Sequence, residues 1–493
     1  MIRKFTRKFR DVDNFRDSIN EYYLLPFKFQ KINNQTEVLV NETGDFLFCP
    51  VGTATRIAKK EVNYNDPLYS DLISNFFISE KPIPDLIDIL ATKYRTKKSF
   101  LDDFTSLHIL VMTIRCNQRC TYCQVSSTND KNDKYDISFS NLKKVIQCIF
   151  KSPSQNLTIE FQGGEPLLVW DKVKFAIEKI SEVNLLENRN ITFVLCTNLS
   201  LINYEILEFC KKFRVLISTS YDGPEFIHNA NRPISDGNSH QNVLKGIKMA
   251  RDILGFEKVS ALMTASNRSL NYPKEIVDDY VKQGFKTIFL RQLNPFGLAW
   301  REPIQLRTGT DKFLDFYKKA LFYIIELNKN GIYFVEEYAS LVLTKMLSPF
   351  PIGFTDLQSP AGIINSVIVF NYDGYVYVSD EARMLAEKGE YHFRLGHLQQ
   401  DSYKNIFYGV RSKQISRNWS NEGLAGCSEC GFQFYCGADP VRNYSTQGDM
   451  YGDRPTNLFC KKNFSIIKLL FKLLCEDKDT EKIFYSWVSK KEL

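Results

Sequence analysis

Three cysteines, Cys116, Cys120 and Cys123, stand at C-x3-C-x2-C spacing directly after the apolar run 107–115. That run reads as a buried strand, so the thiols sit on the loop that leaves it. Three thiolates on one short loop can hold three corners of a cubic iron–sulfur cluster. Such a cluster takes four cysteines, so three leave one iron open for another ligand; a zinc site is the alternative for this spacing alone. Cys427, Cys430, Cys436 and Cys460 form a second group, and with the first they account for seven of the 12 cysteines. With no secretion signal at the start of the sequence, two such groups favour metal or iron–sulfur binding over disulfides. Cys49, Cys148, Cys196, Cys210 and Cys475 sit singly in apolar surroundings and are expected in the core. None of the five histidines pairs at metal-ligand spacing.

The elements that must position these thiols follow from periodicity. A chain of 493 residues with 44% hydrophobic and 25% charged residues has room for two or three domains. No apolar run approaches the ~20 residues of a membrane span, and a net charge of +7 is too mild to argue for nucleic acid. A cytoplasmic location without membrane attachment is the expectation. The basic, aromatic start Met1–Arg10 reads as a solvated or partner-binding arm. Strands are predicted near 26–32 and 37–48 around an Asn41–Gly44 turn, then helices near 54–60 and 68–77. Residues 80–105, with Pro82 and Pro84, read as a linker. From Leu107 to about Asn328, strand candidates at 107–115, 157–162, 191–196, 214–219, 258–263 and 286–290 alternate with amphipathic stretches, the last at 311–328. Six βα units imply a parallel sheet closed into a partial barrel, with chemistry at the carboxyl ends of the strands. Those ends carry Gly163, Gly164 and Glu165; Thr197 and Asn198; Ser220 and Asp222, with Arg232 shortly after; and Arg291. Further on, 363–370 and 375–378 read as a hairpin around Asn371–Gly374.

Taken together, the cysteine loop with Tyr122 beside its third thiol and the glycine pair one strand later resemble the radical S-adenosylmethionine (SAM) enzymes. The resemblance implies a [4Fe–4S] cluster on Cys116, Cys120 and Cys123, with SAM bound at the open iron through its amino and carboxylate groups. Gly163, Gly164 and Glu165 would hold the SAM ammonium, and Thr197 and Asn198 its ribose and methionine ends. Ser220, Asp222 and Arg232 match a polar pattern common in the superfamily, with Arg232 suited to the SAM carboxylate. An external one-electron reductant would drive homolysis of SAM, and the 5′-deoxyadenosyl radical would take a hydrogen atom from substrate.

The C-terminal cysteines resemble the SPASM extension of radical SAM peptide maturases, which in full carries two auxiliary [4Fe–4S] clusters. Ser379 and Pro440 stand where that pattern has cysteines. The resemblance therefore implies one auxiliary [4Fe–4S] cluster, on Cys427, Cys430, Cys436 and Cys460; zinc on the same four thiolates is the alternative. Related sulfatase maturases place a base where Asp380 stands, against which a plain hairpin aspartate is the other reading.

Strings including 94–101, 161–168, 228–233, 359–362, 436–441 and 444–449 are similar to the B-type radical SAM maturase of the His-Xaa-Ser peptide-modification system. That likeness implies a ribosomally made precursor peptide as substrate, with a second radical SAM maturase and a small accessory protein as partners. The expected fold is α/β. A small N-terminal α+β winged-helix-like module (1–100) precedes a partial (β/α)6 radical SAM barrel (101–328) and a SPASM-like iron–sulfur extension (329–493). An anaerobic formylglycine-forming sulfatase maturase, or a non-catalytic scaffold for the second maturase, are the alternative functions.

Overall fold

The computed structural model describes residues 22–129, 131–235, 237–294, 296–297, 303–416 and 419–492; the basic arm Met1–Arg10 lies outside the described residues. The chain divides into two compact units. One comprises Met1–Lys97 with Glu429–Phe434, the other Lys98–Ser428 with Tyr435–Leu493.

In the smaller unit, strands Phe27–Lys31, Thr36–Asn41 and Phe46–Pro50 form an antiparallel meander. Helices Thr53–Ala58 and Tyr69–Ser74 follow. Buried Leu39, Ile57, Leu72, Phe77 and Ile78 form their shared core. The buried Glu37 carboxylate accepts from the Gly52 and Ala54 amides at 3.1 and 2.7 Å, supplying the N-terminal cap that Gly52 cannot. Gly431 comes so close to one edge of the sheet that an added Cβ would lie 2.7 Å from the Phe29 carbonyl oxygen. The linker expected over 80–105 is corrected: Pro84–Lys97 is a helix. Pro84 starts that helix at a position where no amide hydrogen is needed. The proline marks the start of a helix inside the segment expected as a linker.

In the larger unit, six parallel strands run in chain order across one sheet: β1 (Leu107–Thr113), β2 (Asn156–Gly163), β3 (Asn190–Thr197), β4 (Leu216–Ser220), β5 (Val259–Ala265) and β6 (Leu290–Gln292). The helices between them cover one face. Phe139–Ile149 buries Leu142, Val145, Ile146 and Ile149, an i, i+3, i+4, i+7 stripe capped by Ser138. Burial along β2, β3 and β4 alternates with period two. Ile159, Phe161, Leu195 and Ile217 are buried, whereas Glu160, Gln162, Val194, Cys196, Ser218 and Ser220 line a cavity.

The sheet does not stop at β1. The segment read as half of a hairpin supplies β7 (Val367–Phe370), which pairs parallel to β1 with Val367 opposite Leu107 and Phe370 opposite Leu110. Antiparallel β8 (Tyr375–Tyr377) and β9 (Arg394–His397) extend it, giving nine strands in the order β6-β5-β4-β3-β2-β1-β7-β8-β9. All four β7 residues are buried, as befits an unbroken apolar run inside a parallel sheet. Among the described residues, no helix is long and apolar enough to cross a membrane.

Glu336 secures the β6 edge of the sheet. Its buried carboxylate accepts from the Leu290 and Ala339 amides at 3.1 and 2.6 Å and from the Tyr317 hydroxyl. Burial pushes it up to about 7 from 4.5. A carboxyl raised on folding favours the folded state most below its unfolded value, and that contribution is lost as pH climbs through the folded value. Glu336→Gln is therefore expected to flatten the fall in melting temperature between about pH 5 and 7, measured by thermal unfolding across that range.

Candidate active site

The loop after β1 is tied down before it reaches the cavity. Cys116 donates its amide to Thr128 at 2.9 Å, Thr128 returns to Ile114 at 2.9 Å, and Cys123 donates to Cys120 at 3.1 Å. Arg119 and Thr121 donate to the carbonyls of Pro233 and Asn231 at 3.1 and 2.8 Å, lacing the loop to the chain after β4. Arg115 grips Asp136 with two hydrogen bonds of 2.8 and 2.6 Å. The three thiols are thus presented from a braced loop.

All three face one cavity of about 780 Å³, which Gly163, Gly164, Thr197, Asn198, Ser220, Arg232, Arg291 and Asp380 also line. That volume lies within the range of cofactor and small-ligand pockets. Burial pushes the Cys116 thiol up to about 12 and raises Cys120, whose rise the Arg232 guanidinium opposes. Among the described residues, no three His, Cys, Asp or Glu side chains gather closely enough to hold a single metal ion. A zinc ion would draw each sulfur to about 2.3 Å, whereas a cubic cluster lets its thiolates stand farther apart. The donor set on this loop fits the cluster: three sulfurs on one braced loop with an open cavity before them.

Two of the expected cofactor residues do not line the cavity. Glu165 is fully buried and accepts from the Thr197 hydroxyl (2.7 Å), the Asn198 amide (2.8 Å) and the Leu167 amide (3.0 Å). Burial raises it to about 6, with those donors pulling the other way. Its work is to clamp the end of β2 to the end of β3. Asp222, also fully buried, accepts from the Tyr122 hydroxyl at 2.6 Å, Asn231 Nδ2 at 3.1 Å and Arg232 Nε at 3.1 Å. The glycine pair explains itself sterically. A Cβ on Gly163 would stand 2.0 Å from the Thr113 carbonyl oxygen, and one on Gly164 would stand 2.2 Å from that of Arg115. The backbone of β2 passes that close to the start of the cysteine loop, and Gly164 and Glu165 donate amides to Thr113 and Arg115 at 2.7 and 2.8 Å.

The far wall comes from the C-terminal third: Gly353–Asp356, Gly362, Ile363, Ser379–Glu381, Ala438 and Asp439. Ser379 caps the helix Asp380–Ala386 by accepting from the Ala382 amide, which fixes Asp380 and Glu381 at its N-terminus. Fully buried Arg383 pairs with Asp380 at 3.0 Å and donates to the Val125 carbonyl at 3.3 Å, joining that helix to the cysteine loop. Burial raises the Glu381 carboxyl, and nearby Asp356, Asp439 and Asp380 add to the rise.

Cys196, read as a core residue, lines the cavity instead, donating its thiol to Glu160 Oε1 at 3.3 Å. Burial and that carboxylate hold the thiol well above its usual value. Counting back by twos from Ser220 and Asn198 along their strands would have found Ser218 and Cys196. No comparable signal marks the C-terminal lining.

A parallel sheet with a three-cysteine loop opening onto its carboxyl-end cavity fits the class of SAM-dependent radical enzymes. The sequence profile of the radical SAM superfamily, whose members use a [4Fe–4S] cluster and SAM, matches residues 110–279, and the protein is an enzyme with that domain at its centre. The remaining C-terminal cysteines fit an auxiliary cluster. A cysteine-type anaerobic sulfatase-maturating enzyme from Clostridium novyi is 24% identical over 72% of this chain and 92% of its own. The radical SAM cyclopropyl synthase TigE from Paramaledivibacter caminithermalis is 25% identical over 48% of this chain and 51% of its own. Among solved structures, anSMEcpe with bound AdoMet covers 75% of this chain and 97% of its own at a TM-score of 0.60 and 20% identity. Streptococcus suis SuiB bound to S-adenosylmethionine covers 89% of this chain and 100% of its own at 0.51 and 13%. At these identities the likeness is one of fold.

Proposed function

We propose that this enzyme is a peptide maturase of the His-Xaa-Ser type. It would abstract hydrogen from a ribosomally made precursor peptide in the cavity between the cysteine loop and the C-terminal wall. The observation that carries the reading is that single cavity, with three thiols on one wall and Asp380 and Glu381 on the other. A bound cluster and SAM would supply a carbon-centred radical. The chain's own residues would do the rest. Gly163 and Gly164 offer backbone groups to the SAM ammonium, while Thr197, Asn198 and Ser220 face the rest of the cofactor. Glu165 and Asp222 act through the residues they fix. Residues 1–100 would serve as the winged-helix-like module that grips a leader peptide by strand addition, 101–328 as the catalytic barrel and 329–493 as the SPASM-like extension.

Support for a peptide substrate comes from the solved relatives: anSMEcpe has been seen with AdoMet and the Cp18Cys peptide, at a TM-score of 0.58. Cys427, Cys430, Cys436 and Cys460 are the proposed ligands of one auxiliary [4Fe–4S] cluster. A second radical SAM maturase, a small accessory protein and an external reductant complete the proposed partners, in a cytoplasmic setting. The test is co-expression with a small precursor peptide carrying His-Xaa-Ser repeats, followed by mass analysis and chiral amino-acid analysis. A peptide unchanged in both mass and configuration would overturn the reading. Conversion of a cysteine peptide to formylglycine would instead make the protein a sulfatase maturase.

Asp380 is the proposed proton acceptor. Arg383 keeps it paired and oriented toward the cavity. Asp380→Asn is expected to lower peptide modification by about 10²–10⁴-fold while release of 5′-deoxyadenosine continues. Equal loss of both activities would show that Asp380 holds the site together rather than taking the proton.

A further inference from the structure

Arg232 was expected at the SAM carboxylate, but its side chain is already committed. Nε donates to Asp222 Oδ2 at 3.1 Å and Nη2 reaches Asp222 Oδ1 at 3.5 Å, so the edge of the guanidinium that could clamp a carboxylate bidentately already clamps one. Nη2 also donates to the Tyr122 hydroxyl, and the guanidinium carbon lies 5.2 Å from the centre of the Tyr122 ring. The remaining terminal nitrogen, Nη1, is 3.8 Å from Cys120 Sγ. Only 7% of Arg232 is exposed. The backbone pairs Arg119–Pro233 and Thr121–Asn231 stand on either side and hold the guanidinium against the loop.

Cluster potentials respond to net charge, to hydrogen bonds onto the sulfurs and to solvent exposure. All three meet at this residue. We infer that Arg232 is a positioning residue for the iron–sulfur cluster: it donates Nη1–H to the Cys120 sulfur, and its buried charge favours the reduced, more negative cluster. Asp222 holds it there and moderates that charge, and Tyr122, the aromatic residue of the cysteine loop, forms the third side of the arrangement. This rests on Cys116, Cys120 and Cys123 holding the cluster that binds SAM.

The experiment is an EPR-monitored redox titration of the anaerobically reconstituted full-length protein, following the signal that added SAM perturbs, with iron content and SAM affinity measured alongside. Arg232→Gln removes the cation and the donor, so its midpoint should fall below wild type. Asp222→Asn removes the opposing charge, so its midpoint should rise. Arg232→Lys keeps the charge without the planar fork and should fall between Arg232→Gln and wild type. Opposite signs for the first two are the signature of charge acting on the cluster, which a structural role would not produce. A wild-type midpoint in Arg232→Gln, with SAM affinity at least tenfold weaker, would return Arg232 to the SAM carboxylate and overturn the inference. If Arg232→Gln retains no iron, Asp222→Asn decides: a raised midpoint supports the inference and an unchanged one overturns it. Wild-type protein that neither binds SAM nor releases 5′-deoxyadenosine would defeat the parent reading by itself.

Discussion

Anaerobic reconstitution is expected to give about eight iron and eight sulfide per chain, four of each for every cubic cluster. Cys120→Ala should abolish release of 5′-deoxyadenosine from SAM and dithionite. The effect is large because the three thiols of the loop are not interchangeable with any other donors lining the cavity. Cys196, the remaining cavity cysteine, donates to Glu160 and sits at the end of a different strand. A variant lacking Cys116, Cys120 and Cys123 together should keep about four iron on the C-terminal cysteines. Iron and zinc analysis with Mössbauer spectroscopy reads the outcome. About four iron with one zinc in the wild type would replace the auxiliary cluster by a zinc site, and persistence of 5′-deoxyadenosine in Cys120→Ala would sink the radical mechanism.

Gly164→Ala should be nearly as damaging, although it removes no functional group. The added methyl would meet the Arg115 carbonyl at 2.2 Å for oxygen and 2.6 Å for carbon, both backbone atoms with nowhere to retreat. Overpacking of this kind costs about 1–3 kcal/mol. Relief can come only by parting β2 from the root of the cysteine loop, where Gly164 and Glu165 make their 2.7 and 2.8 Å hydrogen bonds. A shift near 1 Å at a reacting site can cost about 10²-fold in rate, so SAM cleavage should fall by at least that factor with the protein still folded. Gly423→Ala, whose Cβ would meet only the Ser420 oxygen at 3.8 Å, is the control and should change stability by less than about 0.5 kcal/mol. Equal behaviour of the two variants, by thermal unfolding and by 5′-deoxyadenosine release, would remove the steric argument.

The same glycine shows how local spacing and tertiary contact divide the information. That a glycine pair follows the second strand is visible in the chain. What it is for is not, because the partner atom belongs to Arg115, some fifty positions earlier. Glu165 and Asp222 carry the same lesson. Both sit at strand ends, where a barrel places its chemistry, and both turn inward, because each finds three protein donors there and a buried carboxylate is stable only when so satisfied.

By itself the sequence determined what depends on short-range order: the three thiols on one loop, the six strand–helix alternations, their chain order in the sheet and the second cysteine group. Spacing and periodicity encode these directly. Only the tertiary structure decided which lone residues reach the cavity. It moved Cys196 from an expected core to the cavity wall and added Glu160, Glu381, Asp356 and Asp439 from segments with no common pattern. It also seated the first strand of the expected hairpin beside β1, and turned a proline-marked linker into a helix. The physical reason is the same in each case. An apolar run or a proline fixes what a segment can be, whereas its neighbours, set by pairings hundreds of residues apart, fix which face is buried and which is left for chemistry.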